Sequence, residues 1–158
     1  MAGLLSARLS ELGLSLPPPF AFPNPNRTGA VRLGQALYCS GHPPLPANGV
    51  YPAGKVGGEV SEQVAYDHAR NAALSILASA HKALGDVEML RRVVKVSGHV
   101  NSAPGFNRQF AVVDGASDLF LSLFGPEYGC HARTAVGVYE LPRSFPLEVE
   151  AIFELHSD

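Results

Sequence analysis

Apolar and polar positions follow two different periods along this chain, and the places where the period changes mark its elements. Val64, Ala72, Ile76, Ala80 and Leu84 keep helical spacing, and Ala65, Ala69, Ala73 and Leu77 widen the same apolar face. Ser61 is placed to cap this helix. Glu62 and Asp67 fall early, where the macrodipole favours acids, and Gly85 stops the helix. The density of alanine predicts a helix lying close against a sheet. A second helix is predicted over residues 106–124, with Gly125-Pro126 as its terminator. Elsewhere the signal is that of strands. Val93, Val94, Val96 and Val100 make residues 90–100 β-rich, and residues 30–33 and 35–40 read as a hairpin pair broken at Gly34. The C-terminal quarter reads as two adjacent strands joined by a turn that Pro142 marks. In the second, alternation puts Glu148, Glu150 and Ile152 on one face and Leu147, Val149, Ala151 and Phe153 on the other. The order β-β-α-β-α-β-β mixes both periods in one domain, which predicts an α+β fold with helices on one face of a sheet.

The flanking segments are of other kinds. Residues 1–16 place Leu5, Leu9 and Leu12 on one face of a short amphipathic helix. With Glu11 inside it, no basic segment before it and no small-residue cleavage site, no secretion signal is expected. Residues 16–26 hold five of the thirteen prolines and form a connector, neither regular helix nor central strand. Residues 43–58 read as a loop with turns at Asn48-Gly49 and Gly57-Gly58. The chain thus divides into residues 1–23, helix plus connector, and a main domain over 24–158.

At 158 residues the chain is long enough for one domain with a real core. An apolar fraction of 46% against 16% charged suits a protein that hides surface in an oligomer. A net charge of −2 and a pI near 6.3 provide no electrostatic footprint for nucleic acid. Cys39 and Cys130 match neither a disulfide framework nor a zinc pattern, so a reduced, cytoplasmic setting is expected. No stretch approaches a membrane-spanning apolar run. The six histidines show no i,i+4 or His-x-His pair, and no metal is expected.

Candidate chemistry concentrates in the last quarter. A glutamate within an otherwise apolar strand is expensive unless it has a partner or a job, so Glu148 is either a buried structural carboxylate or a working one. Arg133 sits at the mouth of the preceding strand, where a planar guanidinium either holds a small organic acid or makes an ordinary salt bridge. Cys130 lies next to His131, which allows a Cys–His nucleophile. Neighbours on a strand point to opposite faces, however, and a buried, inert thiol near the pocket is the commoner outcome.

The run from Cys130-His131-Ala132-Arg133 to Leu141-Pro142, followed by the apolar-Glu-apolar-Glu-Ala strand at 147–151, resembles the C-terminal signature of the Rid (YjgF, reactive-intermediate deaminase) family. Leu37-Tyr38-Cys39-Ser40-Gly41 matches that family's Ser-Gly strand end, and the likeness runs over roughly residues 24–156. It implies a chorismate-mutase-like fold, a homotrimer with clefts between subunits, and cofactor-free hydrolysis of 2-imino or enamine acids to 2-oxo acids and ammonia. By the same resemblance Arg133 binds the substrate carboxylate and the backbone N–H of Ala135 assists. Glu148, fifteen residues after Arg133, orients water and accepts its proton. Cys39, Ser40 and Gly41 supply backbone contacts or pocket wall, Cys130 adjoins them, and His42 or His131 lines the cleft. Glu150 becomes a structural hydrogen-bond partner.

The chain departs from the pattern at two positions. The family's pocket tyrosine falls at Arg27, or at Asn26 with a one-residue slip, and its helix asparagine has Ser117 nearest. Arg27 as a second anionic anchor would favour a dicarboxylate or phosphorylated ligand. The N-terminal helix and long middle mark a divergent branch. Two other functions stay open on the same residues. One is a non-catalytic protein that binds a small carboxylate or keto acid. The other is an endoribonuclease, which needs a phosphate grip and an acid–base pair.

Overall fold

The computed structural model describes residues 4–157. Along them run α1 (Leu4–Glu11), β1 (Ala30–Leu33), β2 (Ala36–His42), α2 (Glu62–Leu84), β3 (Leu90–Asn101), α3 (Gln109–Gly129), β4 (Ala132–Val138) and β5 (Leu147–Leu155). Short 3-10 turns occupy Val87–Met89 and Pro142–Ser144. The fold is α+β, with five strands in one mixed sheet of order β1-β2-β5-β3-β4 and with α2 and α3 packed on one face.

Local chemistry sets the helix ends. The Val64 N–H donates to Ser61 Oγ at 3.3 Å, and Gly85, at φ 81°, closes α2 by donating its N–H to His81 O at 2.8 Å. Ala65, Ala69, Ala72, Ala73, Ile76, Leu77 and Ala80 are buried, whereas Val64 is not, so the buried face is turned slightly from the predicted one. Small residues then let the layers close. A methyl group at Gly115 of α3 would stand 2.0 Å from Tyr66 O of α2, and one at Gly98 of β3 would stand 2.3 Å from Val113 Cγ2 of α3. The helix α3 starts later than expected. It breaks at Gly125 (φ 75°, ψ 172°) as predicted, but Pro126 opens one more turn that runs to Gly129.

The two C-terminal strands are not partners, which corrects the expectation of adjacency. After β3, α3 carries the chain back, so β4 runs parallel to β3 at the sheet edge. The strand β5 returns antiparallel between β2 and β3. Its alternation is as predicted: Leu147, Val149, Ala151, Phe153 and Leu155 are buried beneath the helices, and Glu148, Glu150 and Ile152 point to the other face. Among the described residues no helix covers that open face, where Val31, Leu33, Tyr38 and Val136 stand exposed.

The first three residues of the predicted N-terminal helix lie outside the described residues. In α1, Leu5 and Leu9 are buried, but Leu12 lies beyond the helix end and is 44% exposed. The helix packs on α3 and the Val87–Met89 turn. The Glu88 carboxylate accepts from the Leu5 and Ser6 N–H groups at 3.0 and 2.7 Å, and Arg8 Nη1 donates to Leu123 O at 2.6 Å. Among the described residues, no helix is long and apolar enough to cross a membrane.

Candidate functional site

A bulge at the end of β2 shapes a cleft that carries polar side chains. Cys39 pairs with Ala151 and His42 with Val149, so Ser40 and Gly41 together oppose Glu150 alone. The extra residue turns His42 into the core. There His42 Nδ1–H donates to Ser40 O at 2.6 Å, and Nε2 accepts from Ser79 Oγ at 2.7 Å, the tautomer following because a carbonyl only accepts. Burial holds this imidazole below its usual range, against the smaller opposing effect of the Ser40 carbonyl. The bulge also leaves Gly41 against Glu148, where an added methyl would stand 3.1 Å from Oε2. Ser40 N–H donates to Gly29 O at 2.9 Å and Ser40 Oγ donates to Thr28 O at 2.6 Å, which ties the segment carrying Arg27 to the strand end.

Glu148 is half-buried and lines a cleft of about 520 Å³. The walls are aromatic: Phe20 and Phe22 meet edge to face at 4.9 Å, and Tyr51 and Phe145 at 5.5 Å. Burial pushes the Glu148 carboxyl above the usual carboxylate range. The cross-strand partner His99 pulls it back, and Glu150 pushes it further up. Arg143 reaches the cleft from a turn in which it and Ser144 take left-handed backbone conformations, φ 55° and 56°. Each such residue costs on the order of 1 kcal/mol. The Gly54 N–H, donating to Ser144 O at 2.9 Å, helps hold the turn in place.

Of the residues expected from the sequence, Arg27, Ser40, Gly41 and Glu148 meet in this cleft. Cys39 does not. It lies buried beside Ala151, and burial pushes its thiol up to about 12. Arg133 lies on β4, separated from β5 by β3, and rests against α3. Its Nη1 donates to Asp114 Oδ1 at 2.5 Å and to Ser117 Oγ at 3.2 Å. Ser117 Oγ donates in turn to His131 Nε2 at 3.0 Å, and His131 Nδ1–H donates to Gly129 O at 2.6 Å. Burial holds His131 below its usual range; the Gly129 carbonyl opposes this, and the Arg133 charge adds to it. Cys130, expected to be buried, is exposed, because it stands in the link between α3 and β4. It shares a groove of about 230 Å³ with His131 and Arg133. Ala135 is half-buried on β4, beside Gly98. One chain alone therefore does not bring Arg133 and Glu148 into one cleft.

Sequence reasoning missed Phe20, Phe22, Tyr51, Arg143 and Phe145, which all line the cleft from irregular segments. The available signal was two phenylalanines inside a proline-rich connector, where rings need something to cover them. A broader trough of about 950 Å³ on the open sheet face includes Tyr38, Cys130 and Ile152 but neither Glu148 nor Arg133. Among the described residues, no three His, Cys, Asp or Glu side chains group so as to hold a metal ion.

A model of the endoribonuclease L-PSP family matches residues 24–155. Protein TCP17 of Trypanosoma cruzi is 40% identical over 156 residues, covering 99% of this chain and 97% of that protein. Two solved structures share the whole architecture. A protein of unknown function from Agrobacterium tumefaciens is 38% identical with a TM-score of 0.84, over 96% of this chain and 92% of that one. A candidate endoribonuclease from Shewanella oneidensis is 27% identical with a TM-score of 0.89, over 96% and 99%.

Proposed function

The chain belongs to the endoribonuclease L-PSP family, the YjgF/Rid proteins, and from that premise we propose that it hydrolyses 2-imino or enamine acids to 2-oxo acids and ammonia. The reaction takes place in a cleft completed between subunits of a homotrimer. The observation that carries this reading is Glu148: a half-buried carboxylate, its proton affinity raised by burial, in an aromatic-walled cleft next to Gly41. A carboxylate whose proton affinity is raised in this way takes a proton from water more readily than an ordinary one, and can return it.

In the proposed reaction Arg133 of a neighbouring subunit clamps the substrate carboxylate, with the Ala135 N–H as a second donor. Water held by Glu148 attacks the C=N carbon and its proton passes to the carboxylate. The resulting carbinolamine collapses as that proton moves to nitrogen: the hydroxyl gives its proton back to Glu148 as the C=O bond forms, and the C–N bond breaks with its electron pair leaving on ammonia. The ammonia takes up the proton from Glu148, leaving a 2-oxo acid and ammonium. A protonated imine is already electrophilic, so no cofactor is required. The uncovered sheet face, with Val31, Leu33, Tyr38 and Val136 exposed, supports the need for further copies of the chain.

A second reading, a protein that binds a keto acid without turning it over, is favoured by one feature. Arg133 Nη1 is already engaged by Asp114 and Ser117. RNA cleavage, which the family's descriptive name suggests, needs a phosphate grip, and a chain of net charge −2 provides no overall electrostatic pull toward RNA. The test is imine turnover. An amino-acid oxidase generates 2-imino acids in situ, and semicarbazide trapping follows their decay. Acceleration by the wild type that is lost in Arg133→Ala is the expected result. No acceleration across varied side chains would leave the binding protein.

A further inference from the structure

Two arginines in the Glu148 cleft have no part in the chemistry proposed above. Arg27 comes from the segment before β1 and Arg143 from the strained turn before β5, and both line the cleft with Ser40, Gly41 and Glu148. Among the described residues, neither guanidinium makes a hydrogen bond or an ion pair, not even with Glu148. By contrast, Arg91, Arg108 and Arg133 are each paired with an acid of this chain.

Arginine stays charged at every relevant pH and presents a planar fork that fits a carboxylate. Both guanidinium groups are exposed, so their pull on an anion is that of charges near the surface, which salt screens. Glu148 is the one acid among the residues lining the cleft, so two cations face a single carboxylate. The turn holds Arg143 in a backbone conformation that a side-chain-bearing residue rarely adopts, and the result of that placement is a charge in the cleft.

We infer that Arg27 and Arg143 form a second anion subsite, and that the cleft takes a dianionic ligand, a 2-imino or 2-oxo dicarboxylate. Its far carboxylate lies between the two guanidinium groups, and its methylene chain runs along the aromatic wall. The inference rests on the proposed function for the near end of the ligand only.

Calorimetric titration of the wild-type protein with 2-oxoglutarate and with 2-oxopentanoate tests it. The two acids share their chain length and differ in a terminal carboxylate against a methyl. The dicarboxylate is expected to bind about tenfold tighter, and the preference to shrink as salt rises. In Arg27→Gln/Arg143→Gln the preference should fall to within about twofold, because the dicarboxylate loses more affinity than the monocarboxylate. The single variants should each lose about threefold of it, which serves if the double variant folds poorly, and Arg143→Lys should keep part of it. Equal affinities in the wild type, a preference that survives in the variants, or binding of neither acid would overturn the subsite. The two proposals fail separately. Turnover of monocarboxylate imines without a dicarboxylate preference removes the subsite alone, whereas the preference without turnover removes the deaminase alone.

Discussion

Replacing Gly41 by alanine adds one carbon at the end of β2, next to the carboxylate proposed to hold the attacking water. The new carbon would stand 3.1 Å from Glu148 Oε2 and 3.8 Å from its Cβ and Cδ. Comfortable non-bonded contact begins near roughly 3.5 Å, so the carboxylate must retreat by about 0.3–0.4 Å. It sits at the far end of a flexible side chain, and a small torsional adjustment costs less than about 1 kcal/mol. Gly41 does not use the left-handed region, so alanine also recovers about 0.4–1 kcal/mol by restricting the unfolded chain. The two effects nearly cancel in stability. They do not cancel in catalysis. If a misplacement of about 1 Å costs about 100-fold, a shift of this size should lower kcat about fivefold. The assay is semicarbazide-trapped imine decay, with kcat and KM measured beside the thermal midpoint. The expected result is the fivefold fall in kcat, a nearly constant KM, and a Tm within about 2 °C of wild type. An unchanged kcat would refute the assignment of Glu148 as the water-holding group. A fall in kcat accompanied by a large fall in Tm would refute the claim that the perturbation is local.

Glu148→Gln should abolish turnover and yet raise the unfolding free energy at pH 7. Burial lifts the folded carboxyl above its unfolded value. Its contribution to stability is therefore fully present below the unfolded pKa, about 4, and is lost as pH rises through the folded pKa. The gain in the variant grows across that window and vanishes below about pH 4, and urea titrations at both ends measure it. A variant less stable than wild type at pH 7 would contradict the argument. Gly115→Ala should be strongly destabilising, because its methyl would stand 2.0 Å from Tyr66 O and 2.9 Å from the carbonyl carbon, both backbone atoms. The helices must part, at about 2–3 kcal/mol or more, read as a lower urea midpoint at constant slope. A loss below about 0.5 kcal/mol would mean that the α2–α3 crossing yields to an added methyl and is not close-packed at Gly115.

Much of the fold was legible because it depends on local signals. Ser61 and Gly85 bound α2, and the alternation of Leu147 through Phe153 assigns the two faces of β5. What escaped depends on which strands meet. Alternation says which side of a sheet a residue faces and nothing about its neighbour, so β4 and β5 read as adjacent although β3 separates them. The bulge at Ser40-Gly41 is invisible for the same reason, since it exists only against Glu150 of another strand. Within the candidate site, Glu148 was found because a carboxylate in an apolar strand violates the pattern. Phe20, Phe22, Tyr51 and Arg143 violate no pattern, because irregular segments have none, and only tertiary structure gathers them. Cys130 was expected to be buried because a free cysteine commonly is, but it stands in the link between α3 and β4, where it is exposed.

The position of β5 bears on how the protein is made. It is hydrogen-bonded to β2 on one side and β3 on the other, and the sheet has no direct β2–β3 ladder. A nascent chain that has emerged from the ribosome as far as Val138 therefore holds two fragments, a β1–β2 hairpin and a β3–α3–β4 unit, each with a raw sheet edge. Such edges invite chaperones and proteases. The strand that closes the gap is translated last of the five, and it carries Glu148 to its place between Gly41 and His99 in the same step. A stalled or prematurely terminated chain thus contains no partly built carboxylate site. Closing the sheet and acquiring that carboxylate are one event.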